Sequence, residues 1–448
     1  MHSPQTGGAQ HGTEATAKLS PPRSPGQAPE VARARELLND ARVKGLDAVV
    51  PELLEANTVR PGILTLAICH DSLLARNLGK DFGCFLPWTS VVAPQDCVGL
   101  SSYQYRELSG SWRDSLAAER RNAVDGVVSS FVEGVRTSGK MFTDNPKIHL
   151  SGVECTNGEL TFVTRPARYS ENAAISLSMG NALYDLSKIT AEPRALDRDE
   201  RNIRAVLSLL DRLNIGVGER GVDFSLGAAN FPHTLGVSGV LLTKDGYLIQ
   251  ALQGNRNMTS GGDFVPAISG SADPIAGTLS GFDPAADFFR EKGEEQGRSP
   301  LSFWGISGVY QSLHRLGKPE VMVVGVLKDS LLEFLQRQGA EKGSASSWEL
   351  KVRMANATKL GELHDGLKAH SGFNPSLGDD IRLSDRIASL ETNPDRALSG
   401  AMRRGSLTCQ LEPPGKAAIL AHIRSGGLEN HVNQVALASA LGYLELTR

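Results

Sequence analysis

The stretch Asp283-Pro-Ala-Ala-Asp-Phe-Phe-Arg-Glu-Lys-Gly-Glu-Glu-Gln-Gly297 decides the fold prediction for this chain. Its spacing predicts a helix over residues 283–296, and Gly297 is suited to end that helix. Glu291, Glu294 and Glu295 follow one another at helical spacing, so their carboxylates share one face of the helix. Like charges gathered in this way repel each other unless a cation compensates them.

Two interpretations of this acidic face compete. A divalent cation would compensate the charge, because Mg²⁺ (or Mn²⁺) prefers hard carboxylate oxygens and can keep waters for a phosphate substrate. The plainer interpretation is a solvated helix face whose charge is balanced locally by Arg290 and Lys292. The sequence on either side of the helix decides between them.

Strand patterns flank the helix on both sides. Residues 236–253 predict a β-hairpin around the turn Lys244-Asp-Gly246. Residues 268–274, Ile-Ser-Gly-Ser-Ala-Asp-Pro, form a glycine-containing loop before the helix, and residues 319–327 predict a strand that opens with Pro-Glu. The order is therefore hairpin, loop, helix and strand.

The pattern RExxEExG, carried by Arg290, Glu291, Glu294, Glu295 and Gly297, resembles the helical half of the Nudix hydrolase signature. The flanking order is similar to that family over roughly residues 220–345. The resemblance implies an α/β (α+β) fold in which a mixed sheet lies between helices. It also implies hydrolysis of the diphosphate linkage of a nucleoside diphosphate derivative, such as a nucleotide sugar or a dinucleotide.

The resemblance assigns roles to the helix residues. Glu294 and Glu295 would hold Mg²⁺, with Glu291 as the third ligand or as the general base, and Arg290 would brace the glutamates and the loop by ion pairing. A carboxylate from a later loop is the alternative general base, and the candidates for that role are Glu333 and Glu341.

The loop half of the signature departs from the family. Ala276 and Phe282 stand where the family has glycine and glutamate, unless Gly270 is the loop glycine and Asp273 or Asp283 replaces the missing glutamate. We therefore predict Gly270 and Asp273 as substrate-binding residues. The alternative is a Nudix-like domain without hydrolytic activity that binds a nucleotide or a protein partner, and a further alternative is an unrelated fold.

Arg256 is the third predicted substrate-binding residue. It lies in the polar loop after the predicted hairpin, where a guanidinium would meet the phosphate of a nucleotide. A solvated loop arginine is the competing interpretation.

Length and composition frame these predictions. A chain of 448 residues suggests two or three domains. We predict a disordered tail over residues 1–29, an α/β region over 30–215, the Nudix-like domain over 216–345 and a C-terminal α-rich region over 346–448. The tail is rich in Gly, Pro and Ser and lacks the apolar run of a signal peptide.

Charge and cysteine usage narrow the partners. With 47 Lys and Arg against 50 Asp and Glu, the net charge of −3 argues against binding nucleic acid by bulk charge. No apolar run approaches the length of a membrane span. The five cysteines form no CxxC pair, which favours a reducing cytoplasm. A nucleotide-type small molecule is the expected partner.

Periodicity predicts further elements outside the central region. Gly62–Cys69 is predicted to be a buried strand, and the Asn-Gly pair at 157–158 predicts a hairpin between strands 147–153 and 159–163. Helices are predicted over six further segments: 31–42, 46–55, 112–137, 172–186, 198–213 and 329–338. Two more are predicted near the C-terminus, over 416–424 and 430–444.

Overall fold

The structure is a computed structural model, and the residues that it describes cover most of the first three quarters of the chain. They are residues 28–77, 87–138, 142–187, 195–228, 230–244, 248–252, 264–297, 299–330, 333–334, 337, 351–355, 407–410 and 431–446. The predicted tail and the predicted helix over 416–424 lie outside these residues, and the predicted helix over 329–338 lies partly outside them.

The strands of the described residues form one large sheet and one small sheet. Their bounds are β1 Trp88–Val92, β2 Ser102–Glu107, β3 Pro146–Thr156, β4 Glu159–Arg168, β5 Gly236–Leu242, β6 Leu248–Leu252, β7 Phe264–Pro266, β8 Ile268–Ser271, β9 Leu301–Ser312, β10 Lys318–Leu327, β11 Lys351–Ala355 and β12 Leu407–Gln410. The large sheet has the order β1-β9-β10-β5-β6-β11-β12, with β7 on β6 and β8 on β5. The small sheet has the order β2-β4-β3.

The centre of the large sheet is the parallel pair β5 and β10. Glu320 pairs with Gly236 and Val326 pairs with Leu242. Every residue of both strands is buried, as expected for a parallel pair covered on both faces. The remaining pairs are antiparallel except β11 with β12, so the sheet is mixed. The predicted hairpin is confirmed by the antiparallel pairing of β5 with β6, and the predicted strand over 319–327 is confirmed by β10.

The small sheet is tied to the large one. Its predicted Asn157-Gly158 turn is confirmed, with φ of 53° and 78°, the pair of positive values that a type I′ hairpin requires. On the other edge of β3, the Leu235 amide donates to the Ile148 carbonyl at 2.8 Å. Buried side chains of both sheets therefore belong to one hydrophobic core.

Most of the described helices precede strand β5 in the chain. Their bounds are α1 Pro29–Lys44, α2 Leu46–Val59, α3 Ile63–Ile68, α4 Asp71–Leu74, α5 Pro94–Cys97, α6 Ala118–Thr137, α7 Tyr169–Glu171, α8 Ser178–Ser187, α9 Ala195–Arg212, α10 Pro284–Gln296 and α11 His431–Leu446. A π-helical segment, Asn172–Leu177, joins α7 to α8. The predicted helices in these regions are confirmed, although α6 begins after a short 3₁₀ turn at Arg113–Ser115.

The prediction of a strand over Gly62–Cys69 is wrong, because residues 63–68 form helix α3. All six residues of α3 are buried, Thr65 included, so the helix has no exposed polar face to produce helical periodicity in the sequence. A short run that is apolar except for one threonine fits a buried strand and a buried helix equally well. A second hydrophobic core, separate from that of the sheets, lies among the helices α1, α2, α3, α6, α8 and α9.

A buried arginine closes the C-terminal end of α3. The Arg35 guanidinium donates to the carbonyl oxygens of Ala67 at 3.0 Å, Cys69 at 2.9 Å and Glu219 at 2.9 Å. It also pairs with the Asp71 carboxylate at 2.9 Å. Arg35 therefore satisfies carbonyl groups that a helix end leaves without intrahelical partners.

The regions before and after the central one both contribute to the large sheet. Strand β1 pairs with β9, and β11 and β12 extend the sheet beyond β6. Helix α11 confirms the predicted helix over 430–444 and packs on the sheet, where the Ser439 hydroxyl donates to the Ser307 carbonyl at 2.9 Å. The mixed α and β class is confirmed. Among the described helices, none combines the length and the apolar character needed to cross a membrane.

Candidate functional site

Helix α10 carries the acidic face as the sequence predicts. Its N-terminus is capped by Asp283, whose carboxylate accepts from the amides of Ala285 at 2.9 Å and Ala286 at 3.1 Å. The helix ends at Gly297, as predicted. Phe288 is fully buried, so the helix is fixed with that side against β5 and β8 and with its charged side towards the loop after β8.

Arg290 lies at the centre of four carboxylates. Its Nη2 atom is 2.8 Å from Glu291 Oε1, 3.0 Å from Asp287 Oδ1 and 3.2 Å from Asp273 Oδ2. Its Nη1 atom is 3.5 Å from Glu294 Oε1. The guanidinium thus links three positions of the helix to the loop after β8.

Burial raises the pKa of the two inner carboxyl groups, those of Asp287 and Glu291. Asp287 and Glu291 are buried, and burial raises the pKa of each carboxyl above its usual value, while Arg290 partly offsets the rise. Burial alone would lower the pKa of Arg290, but Glu291 and the other carboxylates outweigh it and raise the pKa. Contact with the carboxylates therefore keeps the Arg290 guanidinium charged despite its partial burial.

The loop after β8 fits against the helix because Gly270 has no side chain. A methyl group at Gly270 would overlap the Glu291 carboxylate, so Glu291 lies directly on the backbone of β8. Asp273 follows, and its amide donates to Asp287 at 3.3 Å while its carboxylate pairs with Lys147 of β3. The predicted residues Gly270, Asp273, Arg290, Glu291 and Glu294 are therefore brought together.

Two predicted residues fall outside what the structure describes. Glu295 is part of α10, but its side chain is outside the described set, and Arg256 is outside the described residues altogether. Of the alternative bases, Glu333 is exposed and accepts from the amide of Ser330 at 2.7 Å, while Glu341 is outside the described residues. Phe282 is buried against Phe162 and takes no part in the acidic face.

Sequence reasoning missed Asp287 and Lys147. Asp287 stands three residues before Arg290, so the helical spacing that was applied to the glutamates would have placed it on the same face. Lys147 carries no such signal, because its contact with Asp273 depends on the pairing of β3 with the segment before β5.

The carboxylates of this site are of the type that binds a divalent cation, but only some of them are placed where a cation could reach them. Glu294 and Asp273 offer hard oxygens with side chains 60% and 43% exposed, so both are accessible from solvent. Within the described side chains, no three Asp, Glu, His or Cys converge on one point, since Arg290 lies among the carboxylates. Any cation would therefore bind at the exposed edge, beside Glu294.

Replacing Arg290 with Ala is expected to lower the free energy of unfolding by about 2 kcal/mol at neutral pH. Removing one partner of a buried pair costs about 3–5 kcal/mol, and we expect less because a third of this side chain is exposed. The raised pKa of Asp287 and Glu291 means that the folded state binds protons more tightly than the unfolded state, so their contribution is most favourable at low pH and is lost as pH rises. Removing Arg290 raises the pKa of Asp287 and Glu291 further, so this loss of stability with rising pH becomes larger.

The loss should therefore be largest at about pH 7 and shrink towards about pH 4.5, where the carboxyls gain protons. Urea denaturation of the wild type and the variant at both pH values measures it. Arg33→Ala, which removes an exposed arginine paired with Glu36 and Glu52, is the control and should cost much less stability than Arg290→Ala. Equal, pH-independent losses for both variants would show that the Arg290 cluster is merely solvated.

No protein-family model matches this chain, and no curated protein is significantly similar to it. A functional assignment therefore depends on the geometry of the acidic site. That geometry joins an acidic helix face to a tight backbone approach at Gly270 and a loop carboxylate at Asp273.

Proposed function

We propose that this chain is a Nudix-like hydrolase that cleaves the diphosphate linkage of a nucleoside diphosphate derivative, with Mg²⁺ or Mn²⁺ as its cofactor. The observation that supports this most is the contact between Gly270 on β8 and Glu291 on α10. Arg290 forms ion pairs with both Glu291 and Asp273 beside this contact. This contact joins the two parts of the chain that the resemblance treats as one site.

The proposal assigns Glu294 and Glu295 to the metal, and gives Glu291 the role of general base in place of third ligand. When bound, the cation would neutralise charge on the bridging phosphate oxygens and lower the pKa of its water. Arg290 holds the carboxylates in place, because it contacts Glu291 and Glu294 on the helix and Asp273 on the loop. Gly270 leaves the space that Glu291 occupies.

Glu291 is the proposed general base. Burial raises the pKa of its carboxyl, and a carboxylate with a raised pKa accepts a proton more readily near neutral pH. Glu333 is exposed and already accepts hydrogen bonds from the amide and the hydroxyl of Ser330, which makes it a weaker candidate.

A second function is favoured by one observation. Arg290 compensates the inner carboxylates without a metal, which suits a domain that binds a nucleotide or a protein partner without hydrolysing anything. Hydrolysis requires a nucleotide-type small molecule and the metal, whereas the binding function requires no metal.

A cytoplasmic location is part of the proposal. Cys69, Cys97 and Cys155 are free thiols, and Cys69 and Cys97 are buried, as in proteins of a reducing compartment. We propose no nucleic-acid partner, because the net charge of −3 provides no bulk attraction to a polyanion.

Changing Glu294 or Glu295 to Gln is expected to lower kcat by about a hundredfold or more, with folding preserved. Glutamine keeps the shape of the side chain but removes the charge that a hard divalent cation requires. Turnover is measured as phosphate release, after phosphatase treatment of the products, from a panel of nucleotide sugars and dinucleotides with Mg²⁺, with Mn²⁺ and with chelator.

Glu133→Gln, an exposed position on α6, is the matched control and should retain full turnover. Metal-dependent turnover that persists in both glutamine variants would exclude these carboxylates as the site. A wild type that binds nucleotides but shows no metal-dependent turnover would exclude the hydrolase and leave the binding function.

A further inference from the structure

A second charged cluster lies at the turn between β9 and β10. The Lys318 amide donates to the Arg315 carbonyl at 3.1 Å, which fixes the turn, and Arg315 and Lys318 are both buried. The Lys318 ammonium pairs with Glu320 two residues further along β10. Two buried cations therefore project from one turn with one carboxylate beside them.

A third buried cation, Lys147, meets this turn at Gly236. A side chain at Gly236 would overlap both Glu320 and the Lys318 ammonium at 2.6 Å, so both lie on its backbone. The hydrogen bond from Leu235 to Ile148 places Lys147 of β3 beside the same glycine. Burial lowers the pKa of Lys318, Glu320 opposes this, and Arg315 and Lys147 lower it further, as expected for neighbouring cations.

Arg315 has no carboxylate within 4.0 Å among the described residues, although Glu320 attracts it at longer range. Arg315 is 8% exposed, and within the described part of the chain its side chain makes no hydrogen bond and no ion pair within 4.0 Å. Glu320 is engaged by Lys318, and Asp273 is shared between Lys147 and Arg290. A buried charge without a partner is strongly unfavourable, so Arg315 is suited to an anion from outside the chain.

A helical run packs against Arg315. Gly180 of α8 lies against the Arg315 stem, where a methyl group would be 2.6 Å from Cγ. Asn172 and Ser176 stand eight and four residues earlier, in the helical segment that leads into α8. Among the described atoms, Asn172 Oδ1 and Ser176 Oγ are buried and have no hydrogen-bond partner.

The backbone there is π-helical over Asn172–Leu177, a conformation that is rare and often occurs at functional sites. Half-buried Tyr169 lies at the start of the run, within electrostatic reach of Arg315. His314, the neighbour of Arg315, adds no charge at neutral pH, because burial, with Arg315, lowers its pKa to about 3.

We propose that Arg315, Lys318 and Lys147, beside the helical run that carries Ser176, form a binding site for a phosphate group. Phosphate matches the site because a guanidinium binds it through two parallel hydrogen bonds and ammonium groups bind it as point charges. The Ser176 hydroxyl would supply a neutral donor. The site is distinct from the acidic face of α10, and the two sites meet where Lys147 pairs with Asp273.

Arg315→Met tests the proposal in the full chain, with inorganic phosphate, pyrophosphate and a nucleoside diphosphate as probes at constant ionic strength. The wild type should bind phosphate saturably by calorimetry and gain thermal stability from it. The variant should show a Kd raised about tenfold or more, because a charged hydrogen bond is lost. Without phosphate its Tm should rise, because an unpaired buried charge is removed while the Met stem still packs on Gly180.

Arg136→Met removes the same charge from the exposed surface of α6 and should leave the phosphate Kd unchanged. No phosphate or pyrophosphate binding by the wild type, or the same Kd in all three proteins, would overturn the site. If Arg315→Met does not fold, Arg315→Lys decides, because it keeps the charge but loses the two-pronged geometry. A Kd unchanged in Arg315→Lys would then overturn the proposal.

The probes also separate the sources of the phosphate group. Tighter binding of the nucleoside diphosphate than of inorganic phosphate indicates a nucleotide ligand, and equal affinities indicate free phosphate. Glu294→Gln should keep phosphate binding intact, so loss of turnover and loss of phosphate binding can be observed separately.

Discussion

Arg35→Met is expected to lower the free energy of unfolding by about 3–5 kcal/mol. The buried Arg35 guanidinium is the common partner of the carbonyl groups of Ala67, Cys69 and Glu219 and of the Asp71 carboxylate. Met fills the same space but leaves these oxygens without their donor, and each buried group left unsatisfied costs about 1–3 kcal/mol. Urea denaturation followed by far-UV circular dichroism measures the loss.

Arg33→Met on the same helix is the matched control. Arg33 is exposed and pairs with the surface carboxylates of Glu36 and Glu52, so its removal should cost far less stability than the removal of Arg35. If the two variants are equally stable, Arg35 does not secure the end of α3 and the helical region holds together without it.

Gly317→Ala is expected to cost about 3 kcal/mol and to weaken phosphate binding at the same time. Gly317 has a φ of +82°, which an L-residue adopts only with strain of about 1–2 kcal/mol. A methyl group there would overlap the carbonyl oxygen of Phe224 and lie 2.9 Å from Gln311 Nε2, and such overpacking costs about 1–3 kcal/mol. The strain falls on the turn that carries Arg315 and Lys318.

Gly293→Ala is the control for this glycine. Gly293 lies inside α10 with open space around it, so alanine there should stabilise the protein by up to about 1 kcal/mol. Thermal denaturation with and without phosphate compares the two variants. A Gly317→Ala protein as stable as the wild type, with an unchanged phosphate Kd, would show that the turn accommodates a methyl group at residue 317.

The elements that the sequence predicts well have strong local signals. The Asn157-Gly158 turn, the amphipathic α9 and the capped helix α10 each depend on residues close together in the chain. Strand β9, which contains Gly305 and Gly308, was not predicted, because its burial depends on β1 and β10 on either side. Helix α3 was mistaken for a strand because it is buried on every side and its sequence therefore shows no helical periodicity.

The two charged sites differ in the same way. The acidic face of α10 was predictable, since helical spacing alone places Arg290, Glu291 and Glu294 together. The cationic cluster was not, because Lys147, Arg315 and Lys318 meet only after β3, β5 and β10 are aligned around Gly236. Charged residues at the ends of apolar strands carry no sequence signal of this convergence.

The pairing of β1 with β9 has a consequence for synthesis on the ribosome. Strand β1 leaves the exit tunnel early, but its partner belongs to the second half of the chain, and β5 likewise waits for β10. At about 5–20 residues per second, β1 waits many seconds for β9, and β5 waits several seconds for β10 after its earlier partners β6 and β8 have been made. A nascent chain that stops before residue 327 therefore exposes open sheet edges, the kind of surface that chaperones bind and that aggregates when left uncovered.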